Sequence, residues 1–557
     1  MSAPAVARAR GGSRLRGAGP GGTLAGTGLL LRFMLRRDRV RLAVWSASVV
    51  ALWLYVVTAF GALYSTAEER QARAALMTTP ASVMMTGPGY GLEDYTLGAM
   101  VANELLLWVA LALAIMSVLE IVRHTRAEEE SGRAELVRAG AVGRHAPAVA
   151  AMLLVLVVNV VVAVLSGAVL VAGGLDAGDS AVLVVAAALT ALVFAAVAVV
   201  TCQLTAHGRG AAGLALAVFG AAALVRAAGD IQERHGSALS WFSPIAWAQQ
   251  TRVFVDTRLW PLVPSAVLVV LLLVLGAVLA SRRDHGAGML PDRRGRADAR
   301  PSLRSPVALA WRQQRTALAW WTLGAGLMWL ASGTYVDGVG DMIGDLAETN
   351  PAVAQIFGAD GGQGLVDAFV AVILLYAVLA ALGYGIAAVL RAGAEEAEGR
   401  AEVALALPVS RGRWLGAQLV VAEAGAAVLV LAGGAGTALG ALSVGVDDPA
   451  AWTYLLAAAS YLPAVAVVLG LAAALYAWWP RLAGLAWAVL ALVFVVGMFG
   501  DALDLPDAVQ GLSPLWWVPR VPAEDPRLLP VVVLAGVAVT LHVLAFAGFR
   551  RRDVPAR

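Results

Sequence analysis

Long apolar runs, separated by short polar stretches, extend along most of the 557-residue chain. Residues 146–174 and 180–200 are two of these runs, and each reaches the roughly 20 residues that a helix needs to cross a bilayer. The pattern predicts an all-α polytopic membrane protein with about twelve transmembrane helices. The predicted spans are residues 42–64, 97–122, 146–172, 180–205, 210–229, 261–281, 316–336, 365–390, 414–445, 451–478, 482–500 and 528–549.

The composition agrees with a membrane protein and excludes several kinds of site. Hydrophobic residues make up 60% of the chain and charged residues 14%, whereas a soluble protein is about a quarter charged. All 41 basic residues are Arg, so the chain lacks the Lys that a Walker A loop places on nucleotide phosphates. The lone Cys202 excludes a disulfide framework and a thiolate zinc site, and the six His residues lack metal-ligand spacing. We therefore expect no catalytic residues, no metal or cofactor site and no nucleic-acid partner.

The distribution of Arg predicts the orientation of the chain in the membrane. Nine Arg residues lie in residues 1–41 and another nine in the connection 282–315, whereas residues 337–364 hold five acidic residues and no Arg. Basic connections stay on the cytoplasmic side of a membrane. We therefore predict a multi-pass protein with both termini in the cytoplasm and a basic cytoplasmic arm at residues 1–40. Its first, Gly-rich stretch, residues 1–28, is expected to be disordered.

The second half of the chain repeats the first. Gly132 and Arg133 are followed 267 residues later (399 − 132) by Gly399 and Arg400, and the stretch SPIAW at 243–247 corresponds to SPLWW at 513–517. Because six spans are an even number, the halves have the same orientation and form a parallel repeat of two six-helix halves. The predicted domains are a basic cytoplasmic arm (1–40), a first six-span half (41–281), a cytoplasmic linker (282–306) and a second six-span half (307–557).

Two charged segments interrupt the apolar pattern at corresponding places. We call RAEEESGRAELVRAGAVGR (126–144) the first charged segment and RAGAEEAEGRAEVALALPVSR (391–411) the second. Acidic residues in the first turn predict short surface helices, the first at 127–139. A Gly inside such a helix costs about 1 kcal/mol relative to Ala, which suggests close approach by a partner or by the bilayer surface. The predicted i,i+4 ion pairs are Glu129–Arg133 and Glu396–Arg400.

These segments resemble those of ABC-2 type transporter permeases, in which an acidic run, a Gly and a Pro-Val-x-Arg sequence lead into the third span. The fused two-unit arrangement is similar to that of actinobacterial exporter permeases known as polyketide-antibiotic exporters. One departure is Ala141, which stands where the second segment has Pro408. The resemblance implies one coupling helix per half that contacts an ATPase, formed by Glu128, Glu129, Gly132, Arg133, Glu135 and Arg144 in the first half and by Glu395, Glu396, Gly399, Arg400, Glu402 and Arg411 in the second.

The same resemblance implies the permease subunit of an ATP-driven exporter in the bacterial cytoplasmic (inner) membrane. A separate ABC ATPase subunit, in two copies, would bind ATP and Mg, so the chain itself would be no enzyme. The cargo would be a small hydrophobic or amphipathic compound such as an antibiotic or drug. A solvated interfacial helix without a partner is the alternative interpretation of each charged segment.

The main alternative function is a proton-coupled secondary transporter of the major-facilitator type, which also has two six-span halves. Such a carrier needs titratable groups inside the membrane, and the candidates are Glu104, Glu120, Glu423 and His542. We expect Glu120 to pair with Arg123. Glu423 is the pathway candidate, and it either faces the transport pathway or is neutralised by protonation or by a nearby polar group. Both interpretations stay open at this point.

Overall fold

The computed structural model describes residues 22–140, 142–290, 297–298, 301–336, 362–447, 449–500, 505–521, 524 and 527–553. Within these ranges the chain forms helices and turns without strands. It divides into two compact units, Met1–Arg294 and Gly295–Arg557. The division falls inside the predicted linker.

Six long helices form the framework of the first unit, and shorter helices lie between them. In chain order they are α1 (Thr27–Arg37), α2 (Arg39–Leu63), α3 (Ala67–Leu76), α4 (Pro80–Thr86), α5 (Leu97–His124), α6 (Arg126–Glu130), α7 (Arg133–Arg138), α8 (Ala146–Ala172), α9 (Ala177–Leu204), α10 (Gly208–Gln232), α11 (Pro244–Gln249) and α12 (Leu262–Arg282). Trp53, Met100 and Leu154 are among the fully buried side chains of the core. Asn159 of α8 donates a hydrogen bond to Ser117 of α5 at 3.1 Å, so a buried amide links these two helices.

The second unit has helices in a similar chain order. Its helices are α13 (Pro306–Gly333), α14 (Gly362–Ala397), α15 (Arg400–Leu405), α16 (Arg411–Ser443), α17 (Ala451–Ser460), α18 (Leu462–Trp478), α19 (Leu485–Phe499), α20 (Asp507–Gln510) and α21 (Leu528–Arg551). Where the first unit has α9, the second has α17 and α18, separated at Tyr461. Pro463 lies in the first turn of α18, where its missing N–H removes no helical hydrogen bond.

Among the described residues, ten helical stretches are long and apolar enough to cross a membrane, and they coincide with ten of the twelve predicted spans. The seventh predicted span falls in α13, where Trp and polar residues lower the hydropathy. The eleventh falls in α19, which has 15 residues and is short for a span. The polytopic all-α class is therefore confirmed, and the count of twelve stays a prediction.

The end of the stretch expected to be disordered is ordered, so that expectation is wrong for residues 22–28. Helix α1 packs against α8. Gly143 and His145 donate backbone hydrogen bonds to the carbonyls of Ala25 and Thr23 at 2.9 and 3.0 Å, which fixes the chain before α1 beside the first charged segment. Residues 1–21, Ala141 and most of the predicted acidic connection, 337–361, lie outside the described residues.

Helices α13 and α16 cross so closely that their backbones touch. A Cβ added at Gly440 would lie 2.1 Å from the carbonyl oxygen of Leu330, and one added at Gly333 would lie 2.2 Å from that of Thr437. Small residues at helix crossings allow such contact in a membrane, where lipid supplies no hydrophobic force between helices. The crossing fixes the position of α16, which begins where the second charged segment ends.

We expect Gly440→Ala to destabilise the protein by about 1–3 kcal/mol, because the added methyl group would meet backbone atoms that cannot move aside. Gly324→Ala is the matched control, since no atom of the described residues lies within 4 Å of its added Cβ and Ala is favoured over Gly inside a helix by about 0.5–1 kcal/mol. The thermal unfolding midpoint of each purified variant in detergent measures these two changes in stability. Equal midpoints for the two variants would contradict the close crossing.

Candidate functional site

Each charged segment consists of two helical pieces that meet at a Gly. In the first segment, α6 and α7 meet at Gly132, whose φ is +74°. In the second, α14 and α15 meet at Gly399, whose φ is +73°. The prediction of one continuous helix over 127–139 is therefore wrong, because a left-handed residue ends one helix and starts the next.

The left-handed backbone explains why Gly is present at both positions, and no close contact inside the described chain is needed to explain it. A Cβ added at Gly132 or Gly399 would find no atom within 4 Å in the part of the chain that the structure describes. An L side chain at this φ nevertheless costs about 1–2 kcal/mol, which Gly avoids. Close approach by a partner at these positions stays a prediction.

A Glu–Arg ion pair, which we call the clasp, fastens each charged segment to the end of the last long helix of its unit. In the first unit both carboxylate oxygens of Glu129 accept hydrogen bonds from Arg283, the residue after α12, at 2.9 Å. The buried Arg126 donates to the same carboxylate at 2.8 Å. In the second unit Arg552, the residue after α21, donates to Glu396.

The second clasp includes an aromatic side chain. The hydroxyl of Tyr476 donates to the other carboxylate oxygen of Glu396 at 2.8 Å, and the guanidinium carbon of Arg552 lies 5.0 Å from the centre of the Tyr476 ring. Only 17% of the Glu129 side chain and 12% of the Glu396 side chain are exposed. Both carboxylates are therefore engaged inside their own unit rather than presented at its surface.

A second Arg strengthens each attachment at an equivalent place. Arg144 donates to the carbonyl of Ala280 at 2.7 Å and to that of Arg283 at 3.1 Å. Arg411 donates to the carbonyl of Arg552 at 2.6 Å and to that of Arg550 at 3.4 Å. Carbonyls at the C-terminal end of a helix lack helical partners and favour positive charge. Both Arg residues thus cap the last long helix of their unit.

The ion pairs predicted within the charged segments are replaced by others. Arg400 donates to both carboxylate oxygens of Glu395 at 2.8 Å, instead of pairing with Glu396. These hydrogen bonds raise the pKa of Arg400 above its ordinary value, which keeps the guanidinium charged. Glu128 accepts from Arg37 at 2.6 Å, and Arg133 lies 3.9 Å from Glu128. The break at each Gly rotates the second helical piece, so the i,i+4 spacing does not apply across it.

Helices α7 and α15 each present one strongly exposed apolar side chain at the same position of the repeat. Leu136 is 80% exposed, and Val403, 267 residues later (403 − 136), is 71% exposed. The predicted site residues beside them are exposed or half-buried: Arg133, Glu135, Arg400 and Glu402. The charge pattern of the segments does not reveal Leu136 and Val403. Their recurrence at the offset of 267 is the signal that could have found them.

A buried polar cluster lies next to the first charged segment. The side chains of Asp38, Glu120 and His124 bring ligand atoms within 4.8 Å of one another, a spacing that could hold a metal ion. Arg123 donates to Asp38 at 2.8 Å, and Arg41 lies 3.1 Å from Glu120, so two guanidinium groups already supply positive charge there. Burial alone would raise the pKa of Asp38, but Arg123 holds it below its ordinary value. The expected pair between Glu120 and Arg123 is thus wrong.

The remaining intramembrane candidates are also paired. Glu104 accepts hydrogen bonds from Arg73 at 2.7 and 3.2 Å. Glu423, on α16, lies 3.1 Å from Nε2 of His542 on α21, and both side chains line an apolar groove of about 670 Å³. The structure thus gives Glu423 a polar neighbour, and its role as the pathway candidate stays a prediction.

We expect Glu129→Gln to loosen the first charged segment, because the neutral amide cannot replace two charge-assisted hydrogen bonds to Arg283. Hydrogen bonds of this kind are worth about 1.5–3 kcal/mol, so the local opening equilibrium of residues 126–144 should rise roughly tenfold to a hundredfold. Hydrogen–deuterium exchange of the backbone amides measures it. Glu135→Gln, an exposed acid on the same segment, is the control. Similar exchange in both variants would contradict a role for the clasp.

Comparison with known proteins places the chain among efflux permeases. The family described as "Multidrug efflux system permease Rv1217c, C-terminal domain" matches residues 30–279 and 303–550. The chain is similar to the multidrug efflux system permease protein Rv1217c of Mycobacterium tuberculosis (strain ATCC 25618 / H37Rv), with 36% identity over 562 residues. That similarity covers 100% of this chain and 100% of the relative.

Proposed function

The chain belongs to the multidrug efflux system permease family, and from this premise we propose that it is the membrane-spanning subunit of an ATP-driven ABC exporter of the ABC-2 type. The observation that carries the proposal is the recurrence, in both units, of one surface helix fastened by a clasp. Two equivalent docking sites for an ATPase would need such a fastened surface helix in each unit.

Each docking site centres on the exposed apolar side chain. Leu136 on α7 and Val403 on α15 would enter an apolar depression of the ATPase, with Arg133 and Arg400 beside them contacting acidic groups at its rim. Two docking helices, one in each unit, favour two copies of the ATPase. ATP and Mg would then be bound by the partner, since the chain has no Lys for a Walker A loop.

The duplication and the orientation form part of the same proposal. Two separate family matches, at 30–279 and 303–550, support an internal duplication. With both termini in the cytoplasm, the charged segments would lie at the cytoplasmic face of the bacterial inner membrane, where an ATPase can reach them. The cargo would be an amphipathic or hydrophobic, antibiotic-like compound.

One observation favours the alternative of a proton-coupled carrier. Glu423 and His542 form a titratable pair within membrane-spanning helices, which is the kind of group that proton coupling needs. The two functions differ in their energy source, and transport measurements separate them.

We expect Leu136→Asp and Val403→Asp each to weaken binding of the ABC ATPase about tenfold or more. Burying a Leu or Val side chain contributes about 1.5–3 kcal/mol, and a carboxylate would be desolvated in its place. Co-purification with the co-expressed ATPase and substrate-stimulated ATP hydrolysis measure the effect. Leu512→Asp is the matched control, since Leu512 is 66% exposed and lies at the opposite end of the second unit. Full complex formation by both docking variants would overturn the proposed surface.

Transport should require ATP together with the partner subunit. The purified chain alone should neither bind nor hydrolyse ATP, because no Lys is present to hold the phosphates. In inverted membrane vesicles we expect drug uptake to start on addition of ATP and to be absent from vesicles that lack the ATPase. Uptake driven by a pH gradient without nucleotide would favour the carrier instead.

A further inference from the structure

The groove of the second unit contains one acid and one base in an otherwise apolar wall. It lies among α16, α18 and α21, and only Glu423 and His542 among its thirteen lining residues are polar or titratable. The rest of the lining consists of Ala, Val, Leu, Pro and Phe side chains, among them Ala535 of α21. The neighbouring Tyr384 and Tyr476 donate to Gln314 and Glu396 and do not line it.

The pair lies deep in the membrane-spanning part of the unit. Glu423 is twelve residues from Arg411 at the start of α16 (423 − 411), which corresponds to about 18 Å along a helix. The apolar core of a bilayer is about 30 Å thick, so the carboxyl group lies near its middle. A lone ionised carboxylate at that depth is costly, and the cost falls when a partner or a ligand compensates the charge.

The position of the His542 ring depends on an adjacent Gly. A Cβ added at Gly470 would lie 2.9 Å from Nδ1 of His542 and 3.0 Å from its Cε1. The absence of a side chain at this point of α18 lets the ring lie against the helix. From there its Nε2 reaches Glu423 on α16.

The hydrogen bonds of the ring define how many protons the pair holds. Nδ1 of His542 lies 2.8 Å from the carbonyl oxygen of Ala538, which can only accept, so Nδ1 carries a hydrogen. The contact of 3.1 Å between Nε2 and Glu423 then needs one further proton, held either by the imidazole or by the carboxyl group. In both arrangements the pair is neutral and shares one proton. Loss of that proton leaves a carboxylate facing a lone pair, with a net charge of −1.

We propose that this groove binds a lipophilic cation, which replaces the proton shared by Glu423 and His542. The wall would contact the apolar body of the cation, and the carboxylate would compensate its charge. One proton leaves to solvent as one positive charge enters, so the site stays neutral in both states. The first unit has Leu156 and Leu273 at the corresponding places (423 − 267 and 542 − 269), so the site belongs to the second unit.

This inference rests on the proposed export function for its role in cargo recognition, but its test needs neither ATP nor the ATPase. The probe is tetraphenylphosphonium, a permanent cation without a titratable proton, and binding is measured by equilibrium dialysis on the full chain in lipid nanodiscs. One exchanged proton predicts affinity that rises about tenfold per pH unit while the pair is protonated. Calorimetry in buffers of different ionisation enthalpy should report about one proton released per cation bound.

Glu423→Gln should weaken binding of tetraphenylphosphonium by about tenfold or more and abolish proton release, because the amide cannot compensate the charge. Ala535→Phe is a second variant that narrows the groove and keeps the pair, and it should also weaken binding. Thr540→Val is the control on α21, since the Thr540 hydroxyl is bonded to the carbonyl of Gly536 within its own helix. The affinity of Thr540→Val for tetraphenylphosphonium should equal that of the wild type.

Two results would overturn the inference. One is cation binding that is independent of pH and unchanged by Glu423→Gln. The other is binding of triphenylphosphine oxide, a neutral molecule of similar size, as strongly as tetraphenylphosphonium. That result would show that the groove binds apolar molecules such as acyl chains irrespective of their charge. Either result leaves the proposed ATPase contacts at Leu136 and Val403 untouched, so the two proposals fail separately.

Discussion

In the first unit, two directional hydrogen bonds from one Arg to one Glu carboxylate hold the charged segment against the end of the last long helix. A Glu–Arg pair at the equivalent place does the same in the second unit. Glu129 with Arg283, and Glu396 with Arg552, tie the segment after the second long helix to the end of the last long helix. Removing one partner of such a pair leaves a poorly solvated charge, which is why the attachment resists opening. In the second unit this pair connects the end of α14 to the end of α21, the helix that bears His542.

The sequence predicts those features that depend on neighbouring residues. Long apolar runs predict the membrane-spanning helices, because hydropathy and length alone determine whether a helix can cross a bilayer. Pairings over long distances escape such reasoning: Arg283 lies 154 residues from Glu129 and Arg552 lies 156 residues from Glu396. Local charge spacing indicated the wrong partners, since it assumed a continuous helix where Gly132 and Gly399 reverse the backbone. The charge pattern does not indicate the exposure of Leu136 and Val403, whereas their recurrence at the offset of 267 marks them in the sequence.

The two units have helices in a similar order but differ in their polar groups. The first unit has the cluster of Asp38, Glu120 and His124, and the corresponding places in the second unit are held by Gln314, Ala387 and Arg391 (38 + 276, 120 + 267 and 124 + 267). The second unit has Glu423 and His542, where the first has two Leu residues. Each unit thus carries its titratable cluster in a different place, near the charged segment in one and within the membrane in the other. The proposed docking helices α7 and α15 therefore belong to units that differ in their polar groups.

The left-handed glycines also affect how mutational scanning of this protein would be interpreted. Substitutions at Gly132 and Gly399 would score as damaging in any assay of transport, and their place on the docking helices would invite the conclusion that they touch the ATPase. Strain alone would already cause damage, since an L residue at this backbone angle is disfavoured before a partner binds. Asn visits this conformation more readily than other side chains do. Tolerance of Asn alone would identify a position selected for chain geometry, whereas a contact surface would rank substitutions by size.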